Sequence, residues 1–273
     1  MTRKNHSKSD YNLESFDALE SIITRLRAPD GCPWDREQTH TSIKKHLLEE
    51  CYEALQAIDE EDATALAEEL GDLLLEVVLQ AQIAKDNGEF TIHDVLRGIN
   101  SKLIRRHPHV FGDGKASNSD EVLANWDKIK KTEHGDDRSV LEGVPKAMPS
   151  LARSQEIQGR AARVGFDWPN IDGVLDKVRE EIGEFAEAKS RAELEHEFGD
   201  ILAALVNVAR KTGIDSEAAL RKANGRFYDR FTYMEKVCKE RGINLADLPL
   251  DEQNVLWEEA KSKVDKEASD KAF

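Results

Sequence analysis

Two tandem copies of one all-α unit are what this sequence predicts, and three observations carry that prediction. Apolar residues recur at helical steps of three and four over most of the chain. No stretch alternates with period two for long enough to demand a sheet. One acidic pattern, E-E-x-x-E, a spacer, then E-x-G-D running into an apolar helix, occurs twice.

In the first copy, Ile43, Leu47, Cys51, Ala54, Leu55 and Ile58 form an amphipathic stripe. Glu50 borders that stripe and Glu53 lies further round. The next helix spans about 63–84, with Leu66, Leu70, Leu73 and Val77 on one flank and Leu75, Leu79 and Ile83 on the other. Glu69, Asp72 and Glu76 fall between the flanks. Gly88 ends this helix, and Thr91 is the N-cap of another over about 93–106. A short β element near 107–111 stays open, and residues 120–131, with Trp126, read as a further short helix. Gly135, Gly143, Pro145 and Pro149 among polar residues mark a connection. The expected division is a domain over 1–132, a linker over 133–149 and a second domain over 150–273. The second copy supplies helices over about 171–189, 192–211, 216–241 and 251–266.

The repeated acids are Glu50, Glu53, Glu69 and Asp72 in the first copy, and Glu181, Glu184, Glu197 and Asp200 in the second. Glu50 maps to Glu181 at an offset of 131 and Asp72 to Asp200 at 128, so the spacers differ by three residues. Residues three apart share a helix face, so each copy aims two carboxylate pairs across a hairpin at one point. Crowded carboxylates beside aliphatic side chains call for a cation. A hard divalent ion such as Mg²⁺, which takes oxygen ligands, suits them. Gly71 and Gly199 hold the same slot in both copies, and close approach of the facing helix is the expected reason. Glu37-Gln38-Thr39-His40 and Glu193-Leu194-Glu195-His196 have the spacing of di-iron ligands. They occupy non-equivalent places, which favours chance.

A basic helix follows the acids in each copy. Lys222, Arg226 and Arg230 lie at steps of four, a row of cations suited to a polyphosphate. Aligned on Leu96 and Leu220, the first copy offers Arg97, Asn100, Lys102 and Arg106, with Gly98 in place of Lys222. His46 stands in place of Lys177, so the first copy lacks two lysines of the second. Trp257 and Lys261 share a face of the last helix, where an indole can stack on a base or simply dock in the core.

The net charge of −15 argues against stable nucleic-acid binding, because polyanion recognition needs a positive field. Cys32, Cys51 and Cys238 are too few and too scattered for a disulfide framework or a zinc site. The longest uncharged apolar run, 201–209, is far below the ~20 residues of a membrane helix. With its polar first ten residues, the chain is expected to be cytoplasmic. P-loop, G-x-G-x-x-G, G-x-S-x-G and CxxC motifs are absent.

The duplicated acids occur together with Gly31-Cys32-Pro33-Trp34-Asp35, Arg106-His107-Pro108-His109-Val110-Phe111 and Val164-Gly165-Phe166-Asp167-Trp168. In this combination the chain resembles the two-domain bacterial MazG family, from about Leu19 to the C-terminal helix. The resemblance implies an all-α, Mg²⁺-dependent, homodimeric enzyme that converts NTPs or dNTPs to the monophosphate and pyrophosphate, house-cleaning the nucleotide pool; Mn²⁺ is the expected substitute ion. It also implies that the C-terminal copy is the active one. Glu181, Glu184, Glu197 and Asp200 would then hold the metal, with Lys177 and Glu180 catalytic. Lys222, Arg226, Arg230, Trp257, Lys261 and Lys130 would bind substrate. Two alternatives stand beside this reading: a helical module that senses nucleotides without cleaving them, and an enzyme dedicated to one nucleotide such as dUTP.

Overall fold

The computed structural model describes residues 11–119, 121–122, 125–126, 129 and 139–271, and every regular element among them is helical. Contacts divide the chain into two compact units, Met1–Asp136 and Asp137–Phe273. The helix expected around Trp126 and the first half of the expected linker fall largely outside the described residues.

In the first unit, helices α1 (Phe16–Leu26), α2 (Pro33–Glu37), α3 (Lys44–Asp59), α4 (Ala63–Asn87), α5 (Ile92–Arg106) and α6 (Pro108–Phe111) follow one another. Helix α6 takes the place of the β element left open from sequence, because Pro108 sits at its first position, where the missing N–H costs nothing. Helices α3 and α4 form an antiparallel hairpin, and α1 and α5 each pack on α4. Ile23, Ile43, Val78, Leu79, Ala81, Ile83 and Ile92 form the core. Asp62 caps α4 by accepting from the Thr64 and Ala65 amides, at 2.9 and 3.0 Å. The helix ends at left-handed Gly88, as expected, and Thr91 with Asp94 forms a capping box on α5. The G-C-P-W turn admits only glycine at its first position, since a Cβ on Gly31 would lie 2.1 Å from the Leu26 carbonyl oxygen. Arg27 locks this turn to α4, bonding Asp86 at 2.6 Å and the carbonyls of Asp35 and Gln38.

The second unit repeats the hairpin in α8 (Ile171–Glu187) and α9 (Arg191–Lys211), preceded by α7 (Ser150–Arg163). Helix α10 (Ser216–Arg241), a 3-10 turn (Leu245–Asp247) and α11 (Leu250–Lys271) complete it. Met234, Val237, Cys238, Leu256 and Ala260 make the core between α10 and α11. Ser190 and Glu193 form the capping box of α9. Trp168 lies so close to the first turn of α8 that a Cβ on Gly173 would meet its Cδ1 at 2.5 Å. Asp167 in the same turn pairs with Arg210 at 2.5 Å and Lys211 at 2.7 Å, and the Lys211 ammonium also reaches the Trp168 carbonyl. Arg210 in turn bonds buried Asn207.

The expected reason for Gly71 and Gly199 is not met. A Cβ at either position would meet nothing within 4 Å among the described residues, so no described helix facing it demands the glycine.

The hydrogen bond from Arg210, assisted by Lys211, holds the Asp167 carboxyl down to about 2, against an ordinary value of 3.8. The unfolded chain therefore binds this proton first as the pH falls. The stability supplied by the Asp167 pair is complete above about pH 4 and is lost between pH 4 and 2. Asp167→Asn should lower the melting temperature at pH 7, and the gap from wild type should close as the pH approaches 2. A gap independent of pH would show that the ion pair is not the source.

Candidate functional site

Both hairpins turn through three-residue connections, 60–62 and 188–190. From the start of the second helix to the first acid of E-x-G-D the count is the same, Ala63 to Glu69 and Arg191 to Glu197. The three-residue difference between the copies therefore lies wholly in the first helix. Helix α3 runs six residues past Glu53, whereas α8 runs three past Glu184. At a rise of 1.5 Å per residue this slides the acids of one arm by roughly 4.5 Å, nearly one turn.

The slide changes which acids meet. In the second unit, Glu181, Glu184 and Glu197 each place a carboxylate oxygen within 4.8 Å of the others. Asp200, one turn further along α9, stands outside that group, 3.5 Å from His196. In the first unit the converging set is Glu50, Glu69 and Asp72. There Glu53 is exposed and acts on Glu50 and Glu69 only through its charge. Each hairpin thus assembles three of the four acids of its pattern.

Glu181 is buried at 5% exposure, a position that a lone carboxylate does not tolerate. Lys177, one turn earlier on α8, lies 2.7 Å from both Glu180 and Glu181. The Glu180 bond first, and Glu181 with it, hold the Lys177 ammonium above the ordinary lysine range. The lysine offsets one buried charge, yet Glu184 still feels too much negative field. Desolvation beside its neighbours and then the Glu181 charge push its carboxyl up, Glu197 and Glu180 add to this, and Lys177 pulls the other way. Three oxygen donors converging at a site with surplus negative charge fit a hard divalent cation.

The first unit shows the same logic with weaker parts. His46 stands in the Lys177 position and lies 3.4 Å from Glu49, the counterpart of Glu180. Burial first, then Glu53 and Asp72, raise Glu50; burial, then Glu53 and Glu50, raise Glu69. Glu76, buried on α4 beyond Asp72, is raised chiefly by burial. The sequence pattern did not select it for the site, because the second copy has Ala204 in its place.

Helix α10 packs on α9 and carries the basic row. Lys222 and Arg226 are exposed, while the Arg230 guanidinium lies 5.7 Å from the Trp257 ring centroid. The Phe227 ring is 5.2 Å from the same indole, and Trp257 also leans on the Met234 core. Trp257 is therefore both a core side chain and the wall of an aromatic and cationic patch. Lys261 is 2.6 Å from Glu258. In the first unit, Arg106 lies 5.2 Å over Trp126, an Arg–Trp pair matching that of the second. Lys130 lies outside the described residues.

A family model for the MazG nucleotide pyrophosphohydrolase domain matches residues 38–111, the hairpin and α5 of the first unit. A Thermotoga maritima protein named nucleoside triphosphate pyrophosphohydrolase/pyrophosphatase MazG is 47% identical over 247 residues, which cover 90% of this chain and 95% of the relative. The nucleoside triphosphate pyrophosphohydrolase of Escherichia coli K12 is 46% identical over 257 residues, 91% of this chain and 98% of the relative. A Bacillus subtilis protein, YabN, is 51% identical over 251 residues, 90% of this chain but only 51% of the relative.

The field at Glu184 gives a test that needs no ligand. In the metal-free protein, carbon-detected NMR of the side-chain carboxyls should show Glu184 titrating above the usual glutamate range. Lys177→Met, which removes a cation pulling against that shift, should move it further up. A Glu184 resonance unmoved by Lys177→Met would show that the lysine does not govern the cluster.

Proposed function

This chain belongs to the MazG family and is a nucleoside triphosphate pyrophosphohydrolase, and from that premise we propose that its second unit performs the hydrolysis. The observation that supports this most is the convergence of Glu181, Glu184 and Glu197 with Lys177 held across Glu180 and Glu181. The first unit has the acids but puts His46 and Gly98 where the second has Lys177 and Lys222.

In this reading Glu181, Glu184, Glu197 and Asp200 hold Mg²⁺, with Mn²⁺ as a substitute. When bound, the ion neutralises phosphate charge and polarises the α-phosphorus. Asp200 lies one turn beyond Glu197 on α9, and a change of the His196 contact would free it to complete the set. Glu180 is exposed beside Lys177 and accepts the proton of the attacking water. The water oxygen bonds to the α-phosphorus as the bond to the α,β-bridging oxygen breaks, and the pair of electrons leaves with pyrophosphate. Lys177, Lys222, Arg226 and Arg230 neutralise the departing charge, and Trp257 with Lys261 holds the nucleoside end. Positioning and charge stabilisation supply most of the acceleration.

No helix among the described residues is long and apolar enough to cross a membrane. We place the enzyme in the cytoplasm, where it clears unwanted nucleotides, without stable nucleic-acid binding. It works as a homodimer. Both hairpins leave aliphatic and aromatic side chains open, among them Leu48, Leu55, Leu70 and Val77 in the first unit and Ile182, Phe198, Leu202 and Leu205 in the second. A two-fold partner would cover such a face, and Gly71 and Gly199, open to solvent within the chain, would then admit its close approach.

Chromatography of the reaction with Mg²⁺ should show nucleoside monophosphate and pyrophosphate, and accumulation of a diphosphate would contradict attack at the α-phosphorus. Glu184→Ala or Asp200→Ala should lower kcat at least a hundredfold, while Glu53→Ala or Asp72→Ala should leave most activity. Equal losses from both sets would mean that the active unit is misassigned. Light scattering at micromolar concentration should return about twice the 30.8 kDa chain mass.

A further inference from the structure

Trp168 has no part in the catalytic reading above, yet the structure sets it in line with the catalytic side chains. Its indole packs over the first turn of α8, where a Cβ on Gly173 would meet Cδ1 at 2.5 Å and Nε1 at 3.3 Å. Gly173, Lys177, Glu180 and Glu184 follow at steps of four, three and four, so they share one face of that helix. The indole therefore stands at the N-terminal end of the stripe that carries Lys177 and the acids. A rise of 1.5 Å per residue puts Gly173 about 6 Å from Lys177 and about 12 Å from Glu181 along the axis. That span is comparable with the reach from the base of an extended nucleotide to its phosphates.

Two further observations separate this tryptophan from a side chain that only fills a turn. Its side chain is open, the residue being 37% exposed, while its backbone is pinned. Asp167 beside it pairs with Arg210 and Lys211, and the Lys211 ammonium bonds the Trp168 carbonyl. The first unit repeats the arrangement. Trp34, 53% exposed, meets the His46 ring edge-on at 6.0 Å, and His46 holds the place of Lys177. Each unit thus sets an open indole near the cation position of its hairpin, from the segment that precedes the first hairpin helix. We propose that Trp168 is a specificity-determining residue that stacks on the nucleobase of the substrate. It does so from the hairpin itself, in addition to Trp257 on α11. This rests on the assignment of hydrolysis to the second unit. Stacking on an indole accepts any base, because every base has a π-face, and a pinned ring loses little freedom when it is covered. Trp168 therefore acts on substrate binding and not on the reacting phosphorus.

The test compares steady-state kinetics of the full chain and Trp168→Leu with Mg²⁺. KM for ATP and GTP should rise at least about fivefold, and less for CTP and UTP, with kcat within about twofold of wild type. Inhibition by inorganic tripolyphosphate, which has the phosphates but no base, should be unchanged. Trp168→Phe, which keeps a ring, should recover much of the lost affinity, and Gly173→Ala, whose methyl displaces the indole, should lose it. A tryptophan with a merely structural role would lower kcat and weaken ATP and tripolyphosphate alike. That result would overturn the proposal, and so would an unchanged KM. If Trp168→Leu does not fold, the full chain labelled with 5-fluorotryptophan decides the matter. The Trp168 fluorine resonance, assigned with Trp168→Phe, should shift on adding ATP and not on adding tripolyphosphate; a signal that ATP leaves in place would refute stacking. Loss of turnover in Glu184→Ala beside an unchanged KM in Trp168→Leu would refute this proposal and leave the active unit as assigned. Full turnover in Glu184→Ala would refute the assignment of the active unit itself.

Discussion

Like-charge crowding across a helix hairpin is the constraint around which each unit is arranged. A carboxylate can be enclosed only when an opposite charge or strong donors accompany it. In the second unit Lys177 meets this demand for Glu181, from one turn away on the same helix. The rest of the unit keeps that hairpin rigid. Trp168 against Gly173 sets the start of α8, the Asp167–Arg210–Lys211 cluster anchors the end of α9 to the same turn, and Ser190 with Glu193 closes the connection. A site that must present several oxygens within a few ångströms depends on such fixed supports.

The duplication preserves the acids while changing their register and their counter-charges. Three extra residues in α3 move the first-unit acids by almost a helical turn relative to α8, so Asp72 joins one cluster and its counterpart Asp200 stands apart from the other. Because an insertion of about one turn returns side chains to nearly the same face, both hairpins stay amphipathic despite the shift. His46 is a shorter and weaker cation than Lys177, and Glu76 adds negative charge where Ala204 adds none. These few substitutions separate two copies that share a three-residue hairpin connection and an Arg–Trp pair.

The apolar surface follows from the same design. A helix pair lined by carboxylates on its inner face has limited room for a core of its own. In the first unit the core sits on the far side, between α4, α1 and α5, and Leu48, Leu55, Leu70 and Val77 remain open. Large open aliphatic faces on both hairpins are costly in water, and the hydrophobic contribution of covering them is left unused by the single chain.

The sequence by itself determined the all-α class, the two hairpins and most ends of the helices that follow them, whereas the helices over Phe16–Leu26, Pro33–Glu37 and Ser150–Arg163 were not read from it. Periodicity of three and four, Gly88 as a stop and Thr91 as a cap are local properties, written within one or two helical turns. The repeated acids and the matched glycines were legible for the same reason, since a repeat needs no folding to be seen. What lay beyond the sequence is everything decided by contact between distant segments. The exclusion of Asp200 and Glu53 from their clusters depends on how one helix registers on another, and that is set by helix ends rather than by the motif. Open space over Gly71 and Gly199 could be learned only from where the facing helix runs. Glu76 read as one more acid on an amphipathic helix, and only the folded hairpin shows its enclosure, with one oxygen unpartnered among the described residues. Burial and pairing are sums over neighbours brought together by folding, so tertiary structure alone decided them.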